Sequence, residues 1–391
     1  MISVASSSVV ETGLASADAW LTAHADLFVP FEEHDPARFD FRLKAFAELC
    51  LYLYLAKEIG VAVTPSLQRS AATFAASKTF LTRALRSPSD TLAHAFGFLA
   101  LEGDLRQALA RHHKSVRDAC NDETEPCEQL ARVWIAEALG TYGTRDGARE
   151  ADALALSALA RPGSGLSPSP LAAYCLTHSA FFATRFGRRR LDLAADRMQM
   201  LAATTLIALC RAFAARDYDA AFELVLARMC VGIAYGPQDA VIVESCLALL
   251  DTGFPVPPPT AGVFATGSRE AEWGCRYHTM IVAGLLLLQR LAEHASDTPP
   301  ANDATALAMD VIGSAYTAAA KGDPATAICL LSRLGELPPS ERPPAAWIAP
   351  LANYLGSLFR TLTATNTDMP GCSELAGELH AIAAEFDQAS G

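Results

Sequence analysis

A chain of 391 residues with 51% apolar composition has ample material for a well-packed core, and its formal net charge of −12 argues against nucleic acid as the main partner. The longest basic run is Arg188 to Arg190, and the longest apolar run, Met280 to Leu288, is far too short to span a bilayer. The apolar content is mostly Ala and Leu with few alternating segments, so the pattern predicts more than about 60% helix against roughly one third in an average globular protein, with almost no strand.

In chain order, residues 1–14 read as a disordered lead-in that lacks the basic and apolar regions of a secretory signal, and 15–391 as a single all-helical domain. A short helix is expected from Ser16, then a long one from Pro36 to Gly60 with Phe41, Leu43, Phe46, Leu49 and Leu53 on its apolar side. Thr64-Pro65 and Ser87-Pro88 each set a capping hydroxyl before a proline suited to a first helical turn, and the second helix carries His94 and Phe96. Gly103-Asp104 and Asn121 to Pro126 divide further helices that end near Gly140, and Arg161 to Pro170 reads as a surface loop.

Ala194 to Ala215 and Tyr218 to Gly232 form one expected helical hairpin, and Ala308 to Lys321 and Pro324 to Leu334 another. Gly253 to Gly267 is a second long loop, Asp297 to Asp303 and Pro338 to Pro344 are proline-rich turns, and a last helix ends near Asp387. The total is about sixteen helices, mostly antiparallel neighbours. The hairpins share no fixed period, so a regular repeat array is not indicated. An α/α toroid with inner helices lining a central cavity is the expected architecture, with an open α-solenoid as the alternative. Ten cysteines lie scattered in apolar helices without a framework of short spacings, which reads as reduced, buried packing material in a cytoplasmic protein.

Two stretches carry the candidate chemistry. If Leu171 to Leu193 is helical, His178, Phe181, Phe182, Arg185 and Phe186 fall on one stripe, which mixes an imidazole, aromatic rings and a guanidinium. Glu270 to Gln289 places Cys275 three residues before His278, as Cys175 precedes His178. Histidine is the side chain best suited to proton transfer near neutral pH, and these two of the nine stand out by context. The two Cys-x-x-His pairs, Cys175/His178 and Cys275/His278, could form a tetrahedral zinc site, but Cys in Ala/Leu-rich helix is more often packing, so no metal is expected. Arg188 to Arg190 suit a helix end, or alternatively an anionic substrate group. Phe181, Phe182 and Trp273 are core residues or the apolar walls of a pocket. No Gly-rich phosphate loop, His-Glu-x-x-His, Gly-x-Ser-x-Gly or Asp-rich prenyl-diphosphate motif is present.

The pattern THSAFFATRFG at Thr177 to Gly187, followed by Tyr277-His278-Thr279 and preceded by the helix at Leu43 to Leu51, resembles an uncharacterised actinobacterial all-helical family. Its members are often encoded beside natural-product biosynthesis genes. The resemblance implies specialised metabolism and fixes no reaction. Members usually carry an acidic residue where this chain has Arg185, so a carboxylate role there does not transfer.

The residues and the resemblance together point to an enzyme performing a cyclisation, elimination or rearrangement without a cofactor. His178 and His278 would move protons or orient the substrate, Tyr277 and Arg185 would assist, and Phe181, Phe182, Trp273 and Arg188 would bind substrate. The substrate is a small molecule or peptide, with neither nucleic acid nor membrane as partner, and a homodimer is left open. The alternative is a helical scaffold for a precursor peptide, a carrier or another enzyme, which would carry a long exposed apolar groove in place of a polar-lined pocket.

Overall fold

The computed structural model describes residues 7–29, 35–86, 91–119, 125–160, 170–214, 217–233, 235, 237–252 and 267–294, and the isolated positions 311 and 315. The elements are α1 (Ser7–Ala23), α2 (Ala25–Phe28), α3 (Pro36–Ile59), α4 (Pro65–Ala75), α5 (Lys78–Arg86), α6 (Thr91–Gly97), a 3-10 turn (Phe98–Ala100), α7 (Gly103–Ala119), α8 (Pro126–Ala138), α9 (Thr144–Leu156), α10 (Pro170–Ala183), α11 (Ala195–Ala214), α12 (Tyr218–Cys230), α13 (Pro237–Thr252) and α14 (Arg269–His294). Among the described residues helix accounts for 82%, and no strand occurs.

Proline sets many of the starts. Pro36, Pro65, Pro126, Pro170 and Pro237 each occupy the first helical position, where the missing N–H is not needed and the fixed φ is already helical. Asp35 caps α3 by accepting from the backbone N–H groups of Ala37 and Arg38 at 2.9 and 3.3 Å. Gly60 ends the same helix in the left-handed region at φ 79°. The start expected at Thr64-Pro65 is where α4 begins, although the Thr64 hydroxyl bonds to Asp18 of α1 and makes no cap.

The N-terminus departs from expectation. α1 starts at Ser7, inside the stretch read as a disordered lead-in, and its Val10, Leu14, Ala17 and Leu21 are buried along one helical face. Serines and a glycine lower the local helix propensity, but packing against α13 and α14 overrides it. Gly13 is itself a packing point, since a Cβ there would lie 2.4 Å from Leu247 Cδ2.

The helices pack against one another as one body. α3 lies against α6 and α14, α14 against α12, α12 against α10, α10 against α8, and α8 against α6. α1 and α13 cover α14, α9 covers α8, and α11 pairs with α12 as the expected hairpin. The Ser87-Pro88 start, the loops at 161–169 and 253–266, the turns at 297–303 and 338–344, the hairpin at 308–334 and the last helix all lie outside the described residues.

Two approaches fix the helices that carry polar groups. Gly284 of α14 faces Tyr52 of α3 so closely that a Cβ would sit 2.8 Å from Tyr52 Cε2, which lets the two helices meet at short range. On the other side of α12, the buried Arg228 guanidinium donates to both carboxylate oxygens of Asp239 at 2.8 and 3.2 Å, and to the Ala202 carbonyl and Thr205 hydroxyl at 3.1 Å. This ties α11, α12 and α13 together through a satisfied buried charge pair.

Candidate acid–base site

Four helices each bring polar side chains to one place. α3 supplies Glu48, α10 supplies Thr177 and His178, α12 supplies Asp219 and Glu223, and α14 supplies His278. Each sits on a helix whose neighbouring positions are buried: Ala47 and Leu49 flank Glu48, Phe222 and Leu224 flank Glu223, and Tyr277 precedes His278. A carboxylate on such a helix must find a partner, because an unpaired buried charge is very costly.

His278 is that partner. Its Nδ1 lies 2.9 Å from Glu48 Oε2, and its Nε2 lies 3.3 Å from Glu223 Oε1 and 3.4 Å from Asp219 Oδ2. Carboxylate oxygens only accept, so both ring nitrogens carry hydrogens and the side chain is an imidazolium. Burial alone would push His278 down, but Glu48, Asp219 and Glu223 together lift it well above the ordinary imidazole range. Glu48 and Glu223 respond in kind: burial would raise each, and the imidazoles bring both below the usual carboxylate range. The Thr177 hydroxyl helps by donating to Glu223 Oε2 at 2.8 Å. Asp219 goes the other way, raised by burial and by its acidic neighbours, and its Oδ1 has no hydrogen-bond partner among the described residues. The cluster is graded in wetness, with Glu223 10% and Asp219 37% exposed.

His178 is the opposite case. Its Nδ1 lies 3.0 Å from the Tyr174 carbonyl, which can only accept, so Nδ1 carries the hydrogen and Nε2 presents a lone pair. Burial pushes its pKa below the ordinary value and the positive His278 adds to that, with Glu223 and Glu48 opposing in part. The site therefore holds one neutral and one charged imidazole, both within reach of the same two glutamates.

His178 opens onto a cavity of about 270 Å³. α3 contributes Lys44, Ala47, Glu48 and Leu51 to its wall, and α6 contributes Leu92, Ala93 and Phe96. Cys127, Glu128 and Ala131 come from α8, and Tyr174, His178 and Phe182 from α10. The Tyr174 ring lies over His178 at a centroid distance of 3.8 Å. Lys44 is mostly exposed and reaches Glu48 Oε1 at 3.8 Å.

The structure brings His178, His278 and Phe182 of the sequence candidates to this site, and it puts the others elsewhere. α10 ends at Ala183, so Arg185 is not on the helical stripe. It occupies a left-handed position at φ 56° in the turn that follows, where the N–H of Phe186 bonds to the Phe181 carbonyl at 2.7 Å. Its guanidinium pairs with Glu137 of α8 at 2.5 Å and Glu150 of α9 at 2.9 Å, and donates to the Phe182 carbonyl. Arg185 is therefore a structural clamp for α8, α9 and α10, and no part of the cavity wall. Arg188 reaches Glu58 of α3 at 3.4 Å and Arg189 reaches Glu150 of α9 at 2.8 Å, so these two arginines tether the turn after α10 to neighbouring helices.

Phe181 is core, stacked on Phe186 at 5.4 Å. Trp273 is fully buried against Phe28, Phe41 and Tyr277, so it packs α14 into the core and is no part of this cavity's wall. Tyr277 belongs to the same aromatic cluster, and burial together with Glu48 and Asp219 keeps its phenol protonated. The two Cys-x-x-His pairs do not come together: Cys175 is a free thiol beside the buried free thiol of Cys127, and no three His, Cys, Asp or Glu among the described residues are arranged to hold a metal ion.

Fold and site together define an all-helical protein with a buried histidine–carboxylate cluster beside an apolar cavity. Residues 14–288 match the family described as Domain of unknown function (DUF6895), and the chain belongs to that family. No curated protein matches it, and neither does any solved structure. No helix among the described residues is long and apolar enough to cross a membrane.

Proposed function

We propose that the chain is a cytoplasmic enzyme of specialised metabolism that performs a cyclisation, elimination or rearrangement by acid–base chemistry, with no cofactor. The carrying observation is that His178 and His278, 100 residues apart in sequence, both feel the charge of Glu48 and Glu223, which contact His278 directly, and are biased to different protonation states, His178 neutral and His278 positive. Titratable groups driven apart in this way divide the roles of base and acid. Neutral His178 presents Nε2 to the cavity as the base. His278, held as imidazolium by three carboxylates, supplies the positive field and the reservoir of protons, with Asp219 as the carboxylate best placed to exchange with it. Thr177 positions Glu223, and Tyr174 and Phe182 frame the base.

The cavity volume of about 270 Å³ lies at the small end of ligand pockets, roughly 300–1,000 Å³, which supports a small molecule over a precursor peptide. The sequence motifs THSAFFATRFG and YHT supply the natural-product context. The test is paired. His178→Ala should leave the melting temperature within a few degrees of wild type while lowering product formation about 10²-fold or more, in the native producer or a reconstituted pathway. His278→Gln should do the same at some cost in stability. A stable His178→Ala protein with full product yield would end the acid–base reading in favour of a scaffold.

A further inference from the structure

The polar groups that face the cavity are not balanced in charge. Glu48 is already committed, to His278 on one oxygen and to Lys44 on the other. Lys44 is correspondingly engaged. Glu128, in the first turn of α8, is exposed to solvent and stands at the mouth of the same cavity, with its carboxylate in no ion pair or hydrogen bond among the described residues. The α8 N-terminus favours a negative charge there but provides no counter-ion. His178 adds a second acceptor, the Nε2 lone pair. Tyr174 connects the two, since its ring lies 3.8 Å from His178 and its phenol feels the charge of Glu128. The remaining wall is apolar and aromatic: Leu51, Leu92, Phe96 and Phe182.

An exposed carboxylate at the mouth and an imidazole acceptor in the wall of an otherwise apolar and aromatic cavity suit a ligand that brings donors and a positive charge. We infer that the cavity binds a small apolar molecule bearing a cationic amine, with the ammonium group between Glu128 and His178 Nε2 and the hydrocarbon body against Phe96 and Phe182. Ammonium hydrogens satisfy the carboxylate and the imidazole, and the aromatic faces add cation–π attraction. A carboxylate or phosphate in the same place would face Glu128 and Glu48 at close range and is disfavoured. The inference rests on the reading of this cavity as the substrate site and deepens it by naming the substrate class.

The test uses the full chain and three probes with a common body: cyclohexylmethylamine, cyclohexylmethanol and cyclohexanecarboxylate, titrated calorimetrically near neutral pH. The amine should bind about tenfold or more tightly than the alcohol, the scale of one charge-assisted hydrogen bond, and the carboxylate more weakly than the alcohol. Glu128→Gln should abolish the preference for the amine and leave alcohol binding and the melting temperature unchanged. Ala131→Leu, which fills the cavity, should weaken amine and alcohol alike. An alcohol or carboxylate that binds as tightly as the amine, a preference that survives Glu128→Gln, or no binding of any probe would each overturn the inference. Binding is measured without turnover, so the two readings fail separately. Loss of the amine preference while His178→Ala still abolishes product removes only the substrate class. An amine preference beside a fully active His178→Ala protein removes only the acid–base mechanism.

Discussion

The two imidazoles couple stability to pH with opposite signs. His278 has its folded pKa raised, so the folded state holds the extra proton above about pH 6.5. Its contribution is fully present below that pH and is lost as pH rises through the folded value. The stability gap between wild type and His278→Gln should therefore narrow as pH is raised from about 7 to about 9, and a constant or widening gap in denaturant titrations would refute this. His178 has its folded pKa lowered, so its contribution is present above about pH 6.5 and is lost as pH falls through the folded value; the gap to His178→Ala should narrow on acidification. Turnover that needs neutral His178 and charged His278 should give a broad plateau around neutrality. Glu223 supports the protonated form of both rings, so Glu223→Gln should move both limbs of the profile to lower pH. The two histidines were legible in the sequence because each interrupts an apolar helix three residues after a cysteine. Their carboxylates were not, because Glu48, Asp219 and Glu223 appear singly in helices of ordinary Ala/Leu texture. One signal was there to be used: Glu223 stands inside the run Phe222 to Leu226, where a lone charge has to be buried and therefore paired.

At the level of elements, the starts of helices could be read and the end of α10 could not. Proline fixes φ wherever it stands, so its effect is local and visible in sequence. The stripe from His178 to Phe186 instead assumed that the helical period continues through Arg185, whereas the chain leaves the helix at Ala183 and turns left-handed. The conformation of Arg185 is held by partners on α8 and α9, far away in sequence, and no local pattern records them. Arg185→Ala should cost about 2–4 kcal/mol in urea unfolding, somewhat below the full one-sided break because Arg189 still faces Glu150. Arg185→Lys should recover little, since a single ammonium cannot serve Glu137, Glu150 and the Phe182 carbonyl together. The loss should appear in stability and leave the pH limbs of turnover where they were, which separates a clamp from a catalytic group. Gly284→Ala makes a second test at this scale. Alanine favours helix by about 1 kcal/mol over glycine, yet the new Cβ meets the buried Tyr52 ring, so a net loss of about 1–3 kcal/mol is expected. Pushing α14 from α3 should also lengthen the Glu48–His278 contact and lower the His278 pKa, measurable by NMR titration of its ring protons.

At the scale of the molecule, the helices surround a space that packing alone does not fill, and native cores usually leave few voids larger than a water. Ala47→Leu should occupy that space and raise or preserve the melting temperature while it removes turnover. A scaffold acting through its outer surface would keep its function in the same variant. All-helical character was legible from composition because it is summed over many residues. The site was not, because its parts are gathered from α3, α10, α12 and α14 by long-range packing. That gathering has a consequence for how the chain is made. His278 follows Glu48 by 230 residues, so at typical synthesis rates it leaves the ribosome on the order of ten to fifty seconds later. During that interval the nascent chain carries Glu48, and later Asp219 and Glu223, without the imidazolium that all three face, and the apolar faces of α1 and α3 lack the helix that covers them. The vectorial growth of the polypeptide thus keeps the acidic cluster open to water until α14 arrives, and the helix that brings the charge also covers α1 and α3.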